Sequence, residues 1–184
     1  MKKIVLLPFF IFVIVALALG QISQGGQPYS WEENLQKNYP ETILLHKATE
    51  LKSSENTTGK HGAFIFADVI DFNKSSEKVG VWTKLPNGDK LWQIHLKSEG
   101  AYSLNFTFSR YLIPEGAQVF IYTPDKKYKL GAFTHKNNKP GGMLAVAPLP
   151  GDEIIIEYYE PEDAPFKGEL SIGTIGHDFL NIFG

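Results

Sequence analysis

The serine, histidine and carboxylate side chains of this chain are its candidates for acid–base or nucleophilic chemistry. The chain has five histidines at scattered positions: His46, His61, His95, His135 and His177. A serine nucleophile needs a base within hydrogen-bond reach and donors for the oxyanion, yet neither Gly-Asp-Ser-Gly nor Gly-x-Ser-x-Gly occurs. His177 and Asp178 are adjacent, which in a strand directs their side chains to opposite faces. We therefore predict that the protein is not an enzyme.

Acidic residues near one turn are the best candidates for a metal site. Asp152, Glu153 and Glu157 begin a run of carboxylates that ends at Asp163. Calcium takes about six to eight oxygen ligands, often from loops. The run has no EF-hand spacing, and the chain has no Cys and no His-x-x-x-His pair. A solvated strand edge and loop is the favoured interpretation, and no cofactor is expected.

Aromatic residues are the candidates for a binding surface. The chain has three Trp and eight Tyr, and such rings either pack in cores or line contact surfaces. Trp92 alternates in register with Ile94 and Leu96, so we predict that it lies in the core. Trp82 and Tyr102 are the candidates for an exposed binding face.

Composition excludes several classes of protein. The net charge is −2, and it becomes −4 (16 basic and 20 acidic residues) once Lys2 and Lys3 are removed with a signal peptide. Nucleic-acid binding requires a basic face, and Arg110 is the only arginine. Because there is no Cys, neither disulfides nor thiolate metal sites can form, and stability must come from burial in the core.

The first 20 residues have the three parts of a secretory signal. Lys2 and Lys3 precede an apolar stretch, and Ala18 and Gly20 place small residues before a cut between Gly20 and Gln21. An uncleaved anchor is the alternative, but the apolar stretch of about 16 residues is shorter than the ~20 needed to span a bilayer. We expect a secreted, extracellular or periplasmic protein with no stable membrane insertion after cleavage.

Strict alternation of apolar and polar residues from about residue 61 predicts the elements that position these side chains. Tyr102, Leu104, Phe106 and Phe108 share one face, for example, and period two is typical of half-buried strands. Turn signals punctuate the strands, and Asn87-Gly88 is typical of a hairpin. We predict an all-β fold, an antiparallel, jelly-roll-like β-sandwich of about 8–9 strands over 61–184.

Residues 21–60 are less regular and are predicted to form an arm. They contain loop-like runs rich in Gly, Pro, Ser and Thr. Between these runs, residues 41–51 fit either a short helix or an extended segment. We expect the arm to lie against the sandwich instead of folding alone.

An ordered series of short segments runs through the predicted sandwich. The segments are VWT at 81–83, LWQI at 91–94, GAYSLNF at 100–106, LIPEGAQVFIY at 112–122, LGAFT at 130–134, PGD at 150–152, IEYYEP at 156–161 and the strand 170–177. The series resembles the N-terminal, pre-catalytic domain of secreted bacterial lysyl-endopeptidase-like, trypsin-fold serine proteases. It covers about two thirds of the mature chain.

The resemblance implies a protease-associated role without protease activity. In that family the catalytic His, Asp and Ser lie in a following domain. The resemblance implies that this domain would begin near Gly184, where this sequence stops. The implied function is that of a pro-domain that binds a protease catalytic domain or assists its folding. The alternative is an independent extracellular module that binds carbohydrate or protein.

Overall fold

The computed structural model describes residues 22–32, 40–45 and 64–184. The predicted signal peptide and its cleavage site at Gly20 and Gln21 lie outside the described residues. Within the described residues there are ten strands, one turn of α-helix and one turn of 3₁₀-helix. They are α1 Tyr29–Glu32, β1 Thr42–Leu44, β2 Ala67–Ser75, β3 Val81–Lys84, β4 Lys90–Lys97, β5 Ser103–Leu112, β6 Gln118–Tyr122, β7 Lys129–Phe133, the 3₁₀ turn His135–Asn137, β8 Leu144–Pro150, β9 Glu153–Glu160 and β10 Glu169–Asp178.

The strands form two sheets. The first sheet has the order β1-β4-β9-β6-β7, with β3 also paired to β4, and the second has the order β2-β10-β5-β8. Every pairing is antiparallel except that of β1 with β4. The predicted antiparallel β-sandwich is confirmed. Nine strands come from the sandwich region, and the arm contributes β1 as a tenth.

The core lies between the two sheets and follows the alternation in the sequence. Trp92 and Ile94 of β4 are fully buried, as are Leu104 and Phe108 of β5. Burial of each such side chain contributes about 1.5–3 kcal/mol relative to exposure. The prediction that Trp92 is a core residue is confirmed.

The β3–β4 hairpin forms at the predicted Asn87-Gly88 turn. The Leu85 N–H donates to the Asp89 carbonyl at 2.8 Å, and the Gly88 N–H donates to the Leu85 carbonyl at 3.0 Å. Gly88 has φ 94°, a conformation that side chains with a Cβ rarely adopt. The hairpin sets Trp82 directly opposite Trp92.

The described parts of the arm contact the first sheet at both edges and across its outer face. At the β7 edge, the Gln24 N–H donates to the Ala132 carbonyl and the Ala132 N–H donates to the Gly25 carbonyl, both at 2.9 Å. At the β4 edge, β1 pairs in parallel with 95–97. The arm is therefore extended at 42–44. The sequence had allowed either a short helix or an extended segment in this region.

The two helices that the structure describes are single turns. Across 22–32, 40–45 and 64–184, no helix combines the length and the apolar composition that crossing a bilayer requires.

Candidate functional site

A groove of about 560 Å³ opens beside the β3–β4 hairpin. We call it the Trp82 groove; its lining residues are Glu77, Trp82, Thr83, Lys84, Lys90 and Lys167. The Trp82 ring packs edge-on against Tyr158, with the ring centroids 5.9 Å apart. Its Nε1–H donates to the Ser76 carbonyl at 2.9 Å. These two contacts fix the indole, which is half-buried, so that part of its surface faces the groove.

Three lysines surround the indole, and each is paired with a carboxylate. Lys167 Nζ lies 2.7 Å from Glu77, Lys90 Nζ lies 3.4 Å from Glu160, and Lys84 Nζ lies 3.9 Å from Glu162. The hydrogen bond from Lys167 lowers the pKa of the Glu77 carboxyl below its usual value. The groove therefore combines an apolar floor with a rim of both charge signs.

Glu160 anchors the loop that carries Lys167 to the groove. This carboxylate is 1% exposed and accepts hydrogen bonds from the Tyr158 hydroxyl and the Gly168 N–H, both at 2.7 Å. A Cβ at position 168 would lie 2.0 Å from the Tyr158 hydroxyl oxygen, so only glycine fits here. The loop after β9 is thus held against the hairpin by a buried carboxylate.

The strand β3 forms one border of the groove and pairs with β4 alone among the described strands. Val81 on β3 is 47% exposed. An edge strand presents unpaired backbone N–H and C=O groups and is a template for another extended segment. Farther along the same side of β4, the chain's own β1 already pairs in this way.

A second cluster lies on the outer face of the first sheet, beneath the arm. The Glu157 carboxylate is 1% exposed and accepts hydrogen bonds from the Gln93 amide at 3.0 Å, the Tyr122 hydroxyl at 2.9 Å and the Ser30 N–H at 3.2 Å. The Ser30 hydroxyl also donates to it. The sequence interpretation of this carboxylate as part of a solvated edge is wrong, because the arm covers it.

The sequence candidates for a metal site do not converge. Glu153 pairs with Lys97, whose hydrogen bond lowers the pKa of the carboxyl, and with His95. Glu157 lies four residues farther along β9, roughly 13 Å away, and Asp152 lies 3.8 Å from Lys97. Within the described part of the chain, no group of three or more His, Asp or Glu side chains is arranged to hold a metal ion.

The two aromatic candidates for a binding face lie apart. Trp82 pairs opposite Trp92 in the first half of β4. Tyr102 is 54% exposed and lies beyond the other end of that strand, where its N–H donates to the Asp178 carbonyl. The structure places Trp82 in the groove and leaves Tyr102 outside it.

A serine–histidine pair appears that the sequence did not indicate. Ser98 Oγ lies 2.8 Å from His177 Nδ1, and the two residues are 0% and 2% exposed. A nucleophile must be reached by its substrate, and Ser98 Oγ is enclosed. We interpret the pair as a structural tie between the β4–β5 connection and β10.

Asp178 points to the opposite face from His177, as strand alternation predicts. It is buried and accepts hydrogen bonds from the Ser103 hydroxyl and, at 2.7 Å, from the Asn105 amide. Burial raises the pKa of the Asp178 carboxyl, and these two hydrogen bonds oppose the rise. The pair His177 and Asp178 is therefore split between two separate environments.

No known family model matches this chain. No solved structure is significantly similar to it. The relation to lysyl-endopeptidase-like proteases accordingly stays a prediction that depends on the ordered sequence segments.

Sequence reasoning missed the partners of the buried carboxylates. Ser30, Gln93 and Glu157 come from three separate segments, and local spacing carries no sign that they meet. One signal was available, because Phe120 and Tyr122 make β6 apolar on both faces. A strand that is apolar on both faces must be covered on both, which indicates a segment lying over the outer face of this sheet.

Proposed function

We propose that this protein is a secreted, non-catalytic domain that binds a polypeptide, and that the polypeptide is a serine-protease catalytic domain. The resemblance in the sequence supplies the partner class. The observation that carries the proposal is the Trp82 groove, which combines a part-exposed indole with the edge of β3 that no other described strand pairs with.

The groove suits an extended segment of a partner. Such a segment can add to a sheet edge through backbone hydrogen bonds, while pockets beside the edge select its alternate side chains. The outer edge of β3 would supply the backbone groups, and Trp82 with the lysine stems would receive an apolar side chain. Indole rings are enriched among the residues that dominate binding energy.

Co-expression tests this function. We expect this chain to form a complex with a lysyl-endopeptidase-like catalytic domain made without its own N-terminal domain, and to change its yield of active enzyme. Val81→Lys adds a charge to the exposed edge strand and should weaken the complex about tenfold or more, because such charges block strand addition.

Trp82→Ala should weaken the complex similarly. The melting temperature of this variant is measured as well, because the indole also packs on Tyr158 and its loss could destabilise the fold. Tyr102→Ala is the matched control, since this exposed aromatic lies outside the groove. Absence of a complex and of any effect on enzyme yield would refute the proposal. Binding of a glycan to the isolated chain, lost in Trp82→Ala, would instead favour a carbohydrate-binding module.

A further inference from the structure

We propose that the outer face of the first sheet is a second binding site, which takes a partner polypeptide carrying an aromatic–hydroxyl–aromatic triplet. Residues 29–31 of this chain, Tyr-Ser-Trp, occupy the site in cis. This inference concerns a different surface from the Trp82 groove and does not depend on the protease-associated function.

Each residue of the triplet has its own contact on the sheet. The Tyr29 ring stacks on Tyr159, with the centroids 5.3 Å apart and the planes at 17°. The Trp31 ring packs edge-on against Tyr122 at 5.0 Å and adjoins an apolar cluster. The cluster consists of Phe120, Tyr122, Ala132 and Ile155.

The central hydroxyl has the most specific contact. Ser30 donates its backbone N–H and its hydroxyl to Glu157, and its Oγ lies 3.1 Å from the Tyr122 hydroxyl. The Gln93 amide donates to the same carboxylate at 3.0 Å. The site thus selects a small hydroxyl residue between two rings.

Backbone contacts beside the triplet are independent of sequence. Two hydrogen bonds join Gln24 and Gly25 to Ala132 at the edge of β7. Lys126 and Lys129 lie over the Trp31 ring at 5.2 and 5.7 Å from its centroid. Any extended segment can form the backbone bonds, so a partner with the same triplet can repeat the whole arrangement.

The cis segment can leave without stranding polar groups. Glu157 keeps its hydrogen bonds to Gln93 and Tyr122 when Ser30 departs, and water replaces the serine. Trp31 Nε1 is buried without a hydrogen-bond partner, and an unsatisfied buried donor opposes binding. Release gives that donor a water partner. The arm therefore outcompetes a free partner mainly because it is covalently tethered beside the site, which gives it an effective concentration of about millimolar. It does not do so because it fits the site completely.

Peptide exchange tests the site in the full mature chain that starts at Gln21. The probe is a fluorescent peptide of residues 22–32. We expect it to bind the Trp31→Ala chain at least tenfold more tightly than the unchanged chain, because the variant has a weaker cis competitor. The Tyr102→Ala chain is the matched aromatic control and should bind as the unchanged chain does. The same peptide with alanine in place of its tryptophan should not bind.

Further variants locate the site and identify the source of the segment. Adding Glu157→Leu to Trp31→Ala should abolish peptide binding, and Ser30→Ala replaces Trp31→Ala if the latter chain does not fold. Equal binding to all chains, or binding to none, would overturn the proposal. Sedimentation of the unchanged chain should show a monomer. A concentration-dependent dimer that Trp31→Ala abolishes would contradict a separate partner and indicate arm exchange between copies.

Discussion

Two buried carboxylates that face away from the core, Glu157 and Asp178, differ in the hydrogen-bond donors that surround them. Glu157 is held by donors from three segments, whereas the donors to Asp178 within the described part of the chain are the Ser103 hydroxyl and the Asn105 amide. Burial disfavours the charged form of a carboxyl, and hydrogen bonds to that form favour it. For Asp178 burial dominates, so its pKa is raised from 3.8.

The raised pKa makes the stability of the fold depend on pH at Asp178. The folded state binds this proton more tightly than the unfolded state does, so stabilisation is full below pH 3.8 and is lost as the pH rises through the folded pKa. Asp178→Asn cannot ionise. We expect the free energy of unfolding of Asp178→Asn to increase relative to that of the unchanged chain as the pH rises from 3.5 to 7. Urea titrations across that range measure it, and a difference that is constant with pH would contradict the assignment.

Single elements are positioned by close contacts as much as by strand periodicity, and the loop between β9 and β10 is an example. Gly168 approaches the Tyr158 hydroxyl so closely that a Cβ would lie 2.0 Å from it, whereas a Cβ at Gly141 meets nothing within 4 Å. We expect Gly168→Ala to lower the free energy of unfolding by about 1–3 kcal/mol, as overpacking of a core does. Gly141→Ala should change it by less than about 0.5 kcal/mol. Chemical denaturation compares the two, and equal effects would argue against this contact.

Period-two patterning predicted strands such as β5 because each buries one face against the core between the sheets, whereas β6 is buried on both faces. Trp92 and Leu104 follow that rule, and the Asn87-Gly88 hairpin follows from local turn chemistry. The Ser30–Glu157 contact could not be predicted, since residues 127 positions apart meet only through tertiary packing. Trp82 and Tyr102 lie apart because Trp82 is on β3 of the first sheet and Tyr102 directly precedes β5 of the second, and alternation does not report which sheet a strand joins.

At the scale of the whole molecule, pairing between distant segments determines how the chain must fold. The strand β2 at Ala67–Ser75 pairs with β10 at Glu169–Asp178, and β4 pairs with β9. Without disulfides, no covalent link shortens these separations. Closing such long loops costs entropy before the contacts they allow are gained. Sandwiches dominated by non-local pairings therefore fold in about milliseconds to seconds.

We expect a chain that begins at Gln21 to refold on that timescale, with the burial of Trp92 as the reporter of core formation. Stopped-flow fluorescence on a Trp31→Phe, Trp82→Phe chain isolates this indole, which is fully buried in the native state. Slow phases from the ten prolines that follow Gln21 (11 in the full sequence, less Pro8) are separated by interrupted unfolding, because short unfolding times leave their isomers native. Refolding within microseconds would mean that local structure, and not pairing between the sheets, limits folding. That result would contradict a core assembled from sequence-distant strands.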